Sequence, residues 1–232
     1  MLYLIGLGLN NKNSSLQGLE AIKKCDEVYL ENYTSKLDNK KFDFKFKEVD
    51  REFVENFNVL EAKKKNIAIL IIGDVFSATT HITLYNEAVE KNIKVEVINN
   101  SSILTAVGIT GLSLYNFGKT ASIPFENKNV KAPIEIIENN LKINAHTLIL
   151  LDLNPKENRY LSIKEGIEYL ERNNFKDKII GCARLGWSDF KIRYGEISKI
   201  KKEDLGEGPY CLIIPAKKLH FIEEESLEKW KS

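Results

Sequence analysis

Ile67-Ala68-Ile69-Leu70-Ile71-Ile72, followed at once by Gly73-Asp74-Val75-Phe76-Ser77-Ala78-Thr79-Thr80-His81, is the stretch on which the fold turns. The first six residues are all apolar, lie between Asn66 and Gly73, and are too few for a helix. They predict a strand buried on both faces, as at the centre of a parallel sheet. His81–Lys91 has helical periodicity, so Gly73–His81 reads as a crossing from strand to helix, where open α/β sheets bind their ligands. Glycine permits a sharp turn, and Ser77, Ala78 and Thr79 offer small side chains and backbone N–H groups. Asp74 adds a negative charge that suits a ligand with hydroxyls or a cation better than a bare phosphate. The same spacing allows Asp74 simply to cap the helix. His81, at the start of that helix, either meets a substrate or only makes a hydrogen bond at the helix terminus.

On the N-terminal side, Leu2–Ile5 reads as a strand that ends in Gly6-Leu7-Gly8-Leu9, and Ser14-Ser15 opens a helix carrying Leu16, Leu19 and Ile22. Glu27–Glu31 reads as the next strand, which gives a βαβ opening with a glycine turn at its first crossover. The motif stops at G-x-G: Asn11 occupies the place of the third glycine, which weakens a dinucleotide fingerprint even though Glu31 falls about where a ribose-binding acid would sit. Tyr33–Phe46 has no clean period, Phe44–Val49 suits a short strand, and Arg51–Lys65 a helix whose Lys63-Lys64-Lys65 end is a solvated C-terminus.

On the C-terminal side, Val95–Ile98 predicts a strand, Asn99-Asn100-Ser101-Ser102 a turn, and Ile103–Tyr115 a helix capped by Ser101 or Ser102. Gly118 stops that helix, which sets a domain boundary between 117 and 118. The second half predicts strands over Ala121–Phe125, His146–Leu153, Lys178–Leu185, Phe190–Ile197 and Tyr210–Pro215, with helices over Ala132–Lys142, Ser162–Glu171 and Glu223–Lys231. Gly186-Trp187-Ser188-Asp189 joins two of these strands as a hairpin, so this half should mix antiparallel and parallel pairing. Arg184 either faces a cleft or is an exposed turn residue, and Trp187 is a lid or hairpin packing.

The 232 residues suffice for a large core. A net charge of +1 gives no overall field toward nucleic acid or an anionic membrane. Cys25, Cys182 and Cys211 are odd in number and far apart, which reads as reduced cysteines of a cytoplasmic protein. Met1–Gly6 is too short for a signal segment, and no apolar run reaches the roughly 20 residues of a membrane span. His81, His146 and His220 are scattered without a Cys-x-x-Cys, so no metal is expected, and neither a P-loop nor a G-x-S-x-G elbow is present.

Taken in order, several motifs resemble the archaeal diphthine synthases. They are Leu4-Ile5-Gly6-Leu7-Gly8-Leu9, Leu19-Glu20-Ala21-Ile22-Lys23-Lys24-Cys25-Asp26, Tyr33-Thr34-Ser35, Gly73-Asp74 with Ala78-Thr79-Thr80-His81, and Ala106-Val107-Gly108-Ile109-Thr110-Gly111-Leu112. The resemblance continues through His146-Thr147-Leu148, Leu151-Asp152, Ala183-Arg184 and Pro215 with Leu219-His220, and so covers nearly the whole chain. That family belongs to the tetrapyrrole-methylase-like class of S-adenosylmethionine-dependent methyltransferases. The resemblance implies two α/β domains, an N-terminal mostly parallel Rossmann-like sheet and a C-terminal mixed sheet, with a strongly bent cofactor in the cleft between them. It further implies a homodimer that methylates the amino group of the modified histidine on translation elongation factor 2 in diphthamide biosynthesis, releasing S-adenosylhomocysteine. Val75 stands where family members commonly carry proline, and the chain is short between Tyr33 and Arg51 and around Asn173–Lys178.

By position, the resemblance implies cofactor contacts at Leu9, Asp74, Ser77, Ser102 and Ile103 from the first half, and at Leu151, Leu185 and Tyr210 from the second. It implies no catalytic residue. In-line methyl transfer needs alignment and a dry site rather than a covalent nucleophile. Two other functions fit the same turns: a methylase of this class acting on a tetrapyrrole or ribosomal RNA, and a regulator that only binds a nucleotide-like ligand. Near-neutral charge with scattered lysines argues against an RNA enzyme.

Overall fold

The computed structural model describes residues 1–35, 37, 42–77, 80–154 and 157–232. The chain separates into two compact units, Met1–Leu104 and Thr105–Ser232. The sequence reading put the boundary at 117. The intervening residues belong with the second unit because Trp230 Nε1 donates to the Thr110 carbonyl at 3.1 Å and Ser113 N donates to Glu223 Oε1 at 2.9 Å.

The first unit is built on strands β1 (Leu2–Gly6), β2 (Glu27–Glu31), β3 (Lys47–Val49), β4 (Ile67–Ile71) and β5 (Val95–Ile98), in the order β3-β2-β4-β1-β5, with every pairing parallel. β4 occupies the centre, and each of its residues is fully buried, as expected of an apolar run covered on both faces. Helices α1 (Leu16–Ile22), α2 (Arg51–Glu55) and α3 (Ile82–Glu90) alternate with the strands. Val54, Val59, Leu84 and Ala88 share one core with Ile69 and Ile71, and each such buried Val, Leu or Ile side chain contributes about 1.5–3 kcal/mol.

The predicted helix Arg51–Lys65 is broken. α2 stops at Glu55, and Asn58 starts a separate 3-10 turn, Val59–Lys63, by accepting the Leu60 N–H. The strand expected from Phe44 begins only at Lys47. The small side chains expected at Ala78 and Thr79 lie outside the described residues.

Helix α4 (Ile103–Ala106) is also far shorter than predicted. It passes into the 3-10 turn Val107–Thr110 and ends at Gly111, whose φ of 92° is left-handed and whose added Cβ would lie 2.1 Å from Cβ of Ser226.

The second unit carries β6 (Ala121–Ile123), α5 (Ala132–Lys142), β7 (Thr147–Leu151), and a small ribbon of β8 (Leu153–Asn154) with β9 (Arg159–Tyr160) that the sequence did not disclose. α6 (Ile163–Arg172), β10 (Lys178–Ala183), β11 (Lys191–Glu196), α7 (Ile197–Ile200), β12 (Tyr210–Ile214) and α8 (Phe221–Glu228) follow. The sheet order is β11-β10-β12-β7-β6, antiparallel except for β6 with β7, so the hairpin and mixed pairing are as expected. α6 starts with a reciprocal Ser162–Glu165 capping box and buries Ile163, Ile167 and Leu170 in the core with Leu151 and Leu212. Among the described residues no helix is long and apolar enough to cross a membrane, and no cluster of His, Cys, Asp or Glu is arranged to hold a metal.

Candidate functional site

The carboxyl ends of β1, β4 and β5 lie side by side, so the loops that leave them share one edge of the parallel sheet. Leu7 N donates to the Ile71 carbonyl at 2.8 Å, Gly8 N to the Gly73 carbonyl at 3.0 Å, and Gly73 N back to the Gly8 carbonyl at 2.8 Å. The loops after β1 and β4 are therefore zipped together beyond the strands themselves.

The two glycines of the G-x-G motif are needed for this contact. A Cβ on Gly6 would lie 2.8 Å from the Gly73 carbonyl oxygen and 3.0 Å from Cβ of Asn100. Gly8 has φ of 75°, and its Cβ would lie 2.5 Å from Cβ of Asn13. Close approach of one loop to another explains the motif without a pyrophosphate. Glu31 is no ribose ligand either. It is fully buried and accepts hydrogen bonds from Tyr33 N at 3.2 Å, Thr34 N at 3.0 Å and Thr34 Oγ1. Burial pushes its pKa up, and the Thr34, Tyr33 and Ile72 donors only partly oppose that.

Asp74 joins the β4 loop to the β5 loop. Its Oδ2 accepts from Asn99 Nδ2 at 2.9 Å and Asn100 N at 3.0 Å, and its Oδ1 accepts from Phe76 N and Ser77 Oγ, each at 3.2 Å. Partial burial works to raise its pKa, but the bonds from Asn99, Asn100, Phe76 and Ser77 outweigh it and hold the carboxyl below its ordinary range. The group is ionised at neutral pH. It is not a helix cap, because α3 begins at Ile82 with His81 in the capping position. Ser102 does cap α4, accepting the Leu104 N–H at 3.2 Å.

His81 is buried, with Nε2 3.1 Å from the Tyr33 hydroxyl. Burial lowers its pKa to about 4 against an opposing hydrogen bond to the Val75 backbone, so the ring is neutral. The Tyr33 hydroxyl then donates to it, and burial with nearby Glu31 raises that phenol to about 12. His81 thus packs beneath the β4 loop as a hydrogen-bonded core residue.

In the second unit Leu151 closes β7, Tyr210 opens β12 and pairs with Ala183, and Leu185 follows β10, which brings these three to one edge of that sheet. Leu151 and Leu185 are buried, and Tyr210 is half-buried with its hydroxyl donating to the Gly206 carbonyl. Arg184 directly follows β10 with φ of 56°, and its side chain is largely buried rather than exposed. Its guanidinium stacks 4.5 Å from the Trp187 ring centroid, pairs with Asp189 at 3.0 Å and donates to the Gly208 carbonyl at 3.3 Å. Trp187 accordingly packs in the hairpin. A cavity of about 540 Å³ lies at the opposite edge, bounded by Lys178, Tyr194, Pro215 and Glu224.

The structure therefore groups Leu9, Asp74, Ser77, Ser102 and Ile103 at one sheet edge of the first unit, and Leu151, Leu185 and Tyr210 at one sheet edge of the second. Sequence reasoning missed Asn99 and Asn100, although two amides directly after a strand are a signal for side-chain bonding to a neighbouring loop.

The family model described as "Tetrapyrrole (Corrin/Porphyrin) Methylases" matches residues 1–201. The chain is 40% identical to a diphthine synthase of Methanosphaera stadtmanae, over 98% of this chain and 94% of that one. It is 39% identical to the diphthine methyl ester synthase of Saccharomyces cerevisiae, over 98% and 88%. A crystal structure of diphthine synthase superposes with a TM-score of 0.92 at 36% identity, over 99% of this chain and 95% of that one. Full-length likeness in sequence and in fold leads to one conclusion: the chain belongs to the diphthine synthase family of tetrapyrrole-methylase-fold methyltransferases.

Proposed function

We propose that the chain is an S-adenosylmethionine-dependent methyltransferase that methylates the amino group of the modified histidine on translation elongation factor 2, in diphthamide biosynthesis. It works as a cytoplasmic homodimer, with elongation factor 2 as its protein substrate and S-adenosylhomocysteine as the product it releases. Leu9, Asp74, Ser77, Ser102, Ile103, Leu151, Leu185 and Tyr210 are its cofactor contacts.

The observation that carries this reading is an ionised Asp74 set among zipped backbone loops. Residues 73–77 and 99–104 include no lysine or arginine, so these loops suit a cationic, hydroxyl-bearing ligand better than a phosphate. Leu9 is half-buried and makes no hydrogen bond to another described residue, which leaves its backbone N–H and carbonyl for polar atoms of an adenosine or methionine moiety. The residues present thus fit S-adenosylmethionine.

When bound, the cofactor supplies a methyl group on a sulfonium. The chain's part is to bind, align and dry the site. Asp74 favours the positive charge, and because its lone pairs are already taken, a direct bond to the ligand would have to replace one of them, such as that of the exposed Asn99. Leu151 and Leu185 are apolar and would help to keep water from the ligand.

The test is incubation with methyl-labelled cofactor and elongation factor 2 carrying the aminocarboxypropyl-histidine intermediate. Label on the factor supports the reading. Label on RNA or a tetrapyrrole, and never on the factor, rejects it in favour of another methylase of the class.

A further inference from the structure

Asn100 holds together the loops that carry the first unit's cofactor contacts, and no part of its side chain is idle. Nδ2 donates to the Gly6 carbonyl at 3.0 Å and to the Asn13 carbonyl at 3.0 Å, while Oδ1 accepts the Ser101 N–H at 2.8 Å. Two acceptors on one side and a donor on the other settle the orientation of the amide. Its backbone N–H goes to Asp74. One residue on the β5 loop therefore grips the last residue of β1, the loop beyond Leu9, and the Asp74 carboxylate.

The glycines report the same design. A Cβ at Gly6 would meet the Gly73 carbonyl oxygen at 2.8 Å and Asn100 Cβ at 3.0 Å, and one at Gly8 would meet Asn13 Cβ at 2.5 Å and Asn100 Oδ1 at 3.1 Å. A side chain at either place would press on Asn100 as well as on Gly73 or Asn13. An aspartate at position 100 would fill the same volume but aim lone pairs at two carbonyl oxygens beside an ionised Asp74, so only a double donor of this length satisfies the geometry.

We propose that Asn100 is a positioning residue of the cofactor site. Without touching the cofactor, it fixes Leu9, Asp74 with Ser77, and Ser102 with Ile103 in the single arrangement that binds, so their donors and acceptors need not reorganise when the ligand arrives. The inference rests on the reading that these loops bind S-adenosylmethionine, and its test separates the two.

S-adenosylhomocysteine is titrated calorimetrically into wild type, Asn100→Ala and Ile69→Val at a temperature where all three are folded by circular dichroism. Ile69 is fully buried in β4 and serves as a control for lost stability alone. Wild type and Ile69→Val should bind alike, while Asn100→Ala should bind at least about tenfold more weakly, the equivalent of about 1.4 kcal/mol. In turnover, KM for S-adenosylmethionine should rise while KM for elongation factor 2 stays put. Wild-type affinity in Asn100→Ala, whatever its melting temperature, overturns the proposal. Failure of wild type itself to bind overturns the cofactor reading beneath it.

If Asn100→Ala does not fold, hydrogen exchange on the ligand-free wild type decides. The backbone N–H groups of Gly8, Gly73 and Asn100 should exchange as slowly as those of β4. Fast exchange that slows only on adding S-adenosylhomocysteine would mean the loops assemble around the ligand, and Asn100 does not preset them.

Discussion

The backbone N–H of Asn100 lies 3.0 Å from Oδ2 of Asp74, and this bond ties the loop after β5 to the loop after β4. Asp74 is therefore a fastener as well as a proposed cofactor contact. With four hydrogen bonds converging on one carboxylate, its substitution has two separable consequences, one from the bonds and one from the charge.

Asp74→Ala removes all four bonds and should cost about 1–3 kcal/mol of stability, lowering the melting temperature by several degrees while the core strands persist. Asp74→Asn keeps the volume and part of the bonding but discards the charge. It should lose less stability than Asp74→Ala yet still bind S-adenosylhomocysteine and, more so, the cationic S-adenosylmethionine less well than wild type. Calorimetry paired with thermal melting checks both, and equal affinity for the cation in wild type and Asp74→Asn would show that the charge is not used.

Gly8→Ala combines a left-handed backbone with a Cβ 2.5 Å from that of Asn13. The expected loss is about 1–3 kcal/mol, with weakened cofactor binding because the loop before Leu9 shifts. Gly195→Ala, where a Cβ would meet nothing closer than 3.8 Å, should be nearly silent in both measurements.

The second unit has its own buried clamp. Glu223 accepts from Ser113 N at 2.9 Å, His220 N at 3.0 Å and His146 Nε2 at 3.1 Å, and His146 Nδ1 accepts the Ala216 N–H at 2.9 Å, so the ring is the neutral Nε2–H form. Glu223→Ala strands those donors and should destabilise the protein by about 1–3 kcal/mol, read from a denaturant midpoint.

Acid should weaken the fold in two steps. Burial lowers the pKa of His81 to about 4 and also depresses that of His146. Both rings are neutral when folded but protonate near 6.5 when unfolded, so the unfolded chain binds more protons and stability falls as pH drops from about 6.5 toward 4. Glu223 follows. Burial alone would raise its pKa, yet donors from Ser113, His220 and His146 hold it at about 2, so its contribution is lost as pH falls from about 4.5 toward 2. Glu31, with a raised pKa, works in the opposite direction, because its burial penalty is relieved on protonation. His81→Gln, which keeps an acceptor for Tyr33, should flatten the first step in denaturation midpoints measured against pH. An unchanged slope would mean His81 is not a source of it.

Much of the fold could be read from the chain because its strands obey simple burial rules. Ile67–Ile72 is apolar throughout since β4 is covered on both faces, and Gly186–Asp189 turns one antiparallel strand into the next. Where long-range bonds override local pattern, reading failed. Ile103–Tyr115 has helical spacing, but Trp230 captures the Thr110 carbonyl and Ser226 crowds Gly111, so the helical run goes no further than the 3-10 turn ending at Thr110. The loops that carry the proposed contacts were legible in their residue types and not in their wiring. Gly6 and Gly8 looked like a phosphate turn because nothing local announces that Gly73 and Asn100, far along the chain, crowd the loop there.

Intact-mass measurement of elongation factor 2 tests the central claim most directly. The factor, carrying the aminocarboxypropyl-histidine, is incubated with this protein and S-adenosylmethionine, and its mass is followed with time. Mass gained in whole methyl steps, mapped to that histidine and absent without cofactor, is the predicted result, and the final step count gives the number of methyl groups added. An unchanged mass, under conditions where the protein binds the cofactor, would contradict the account.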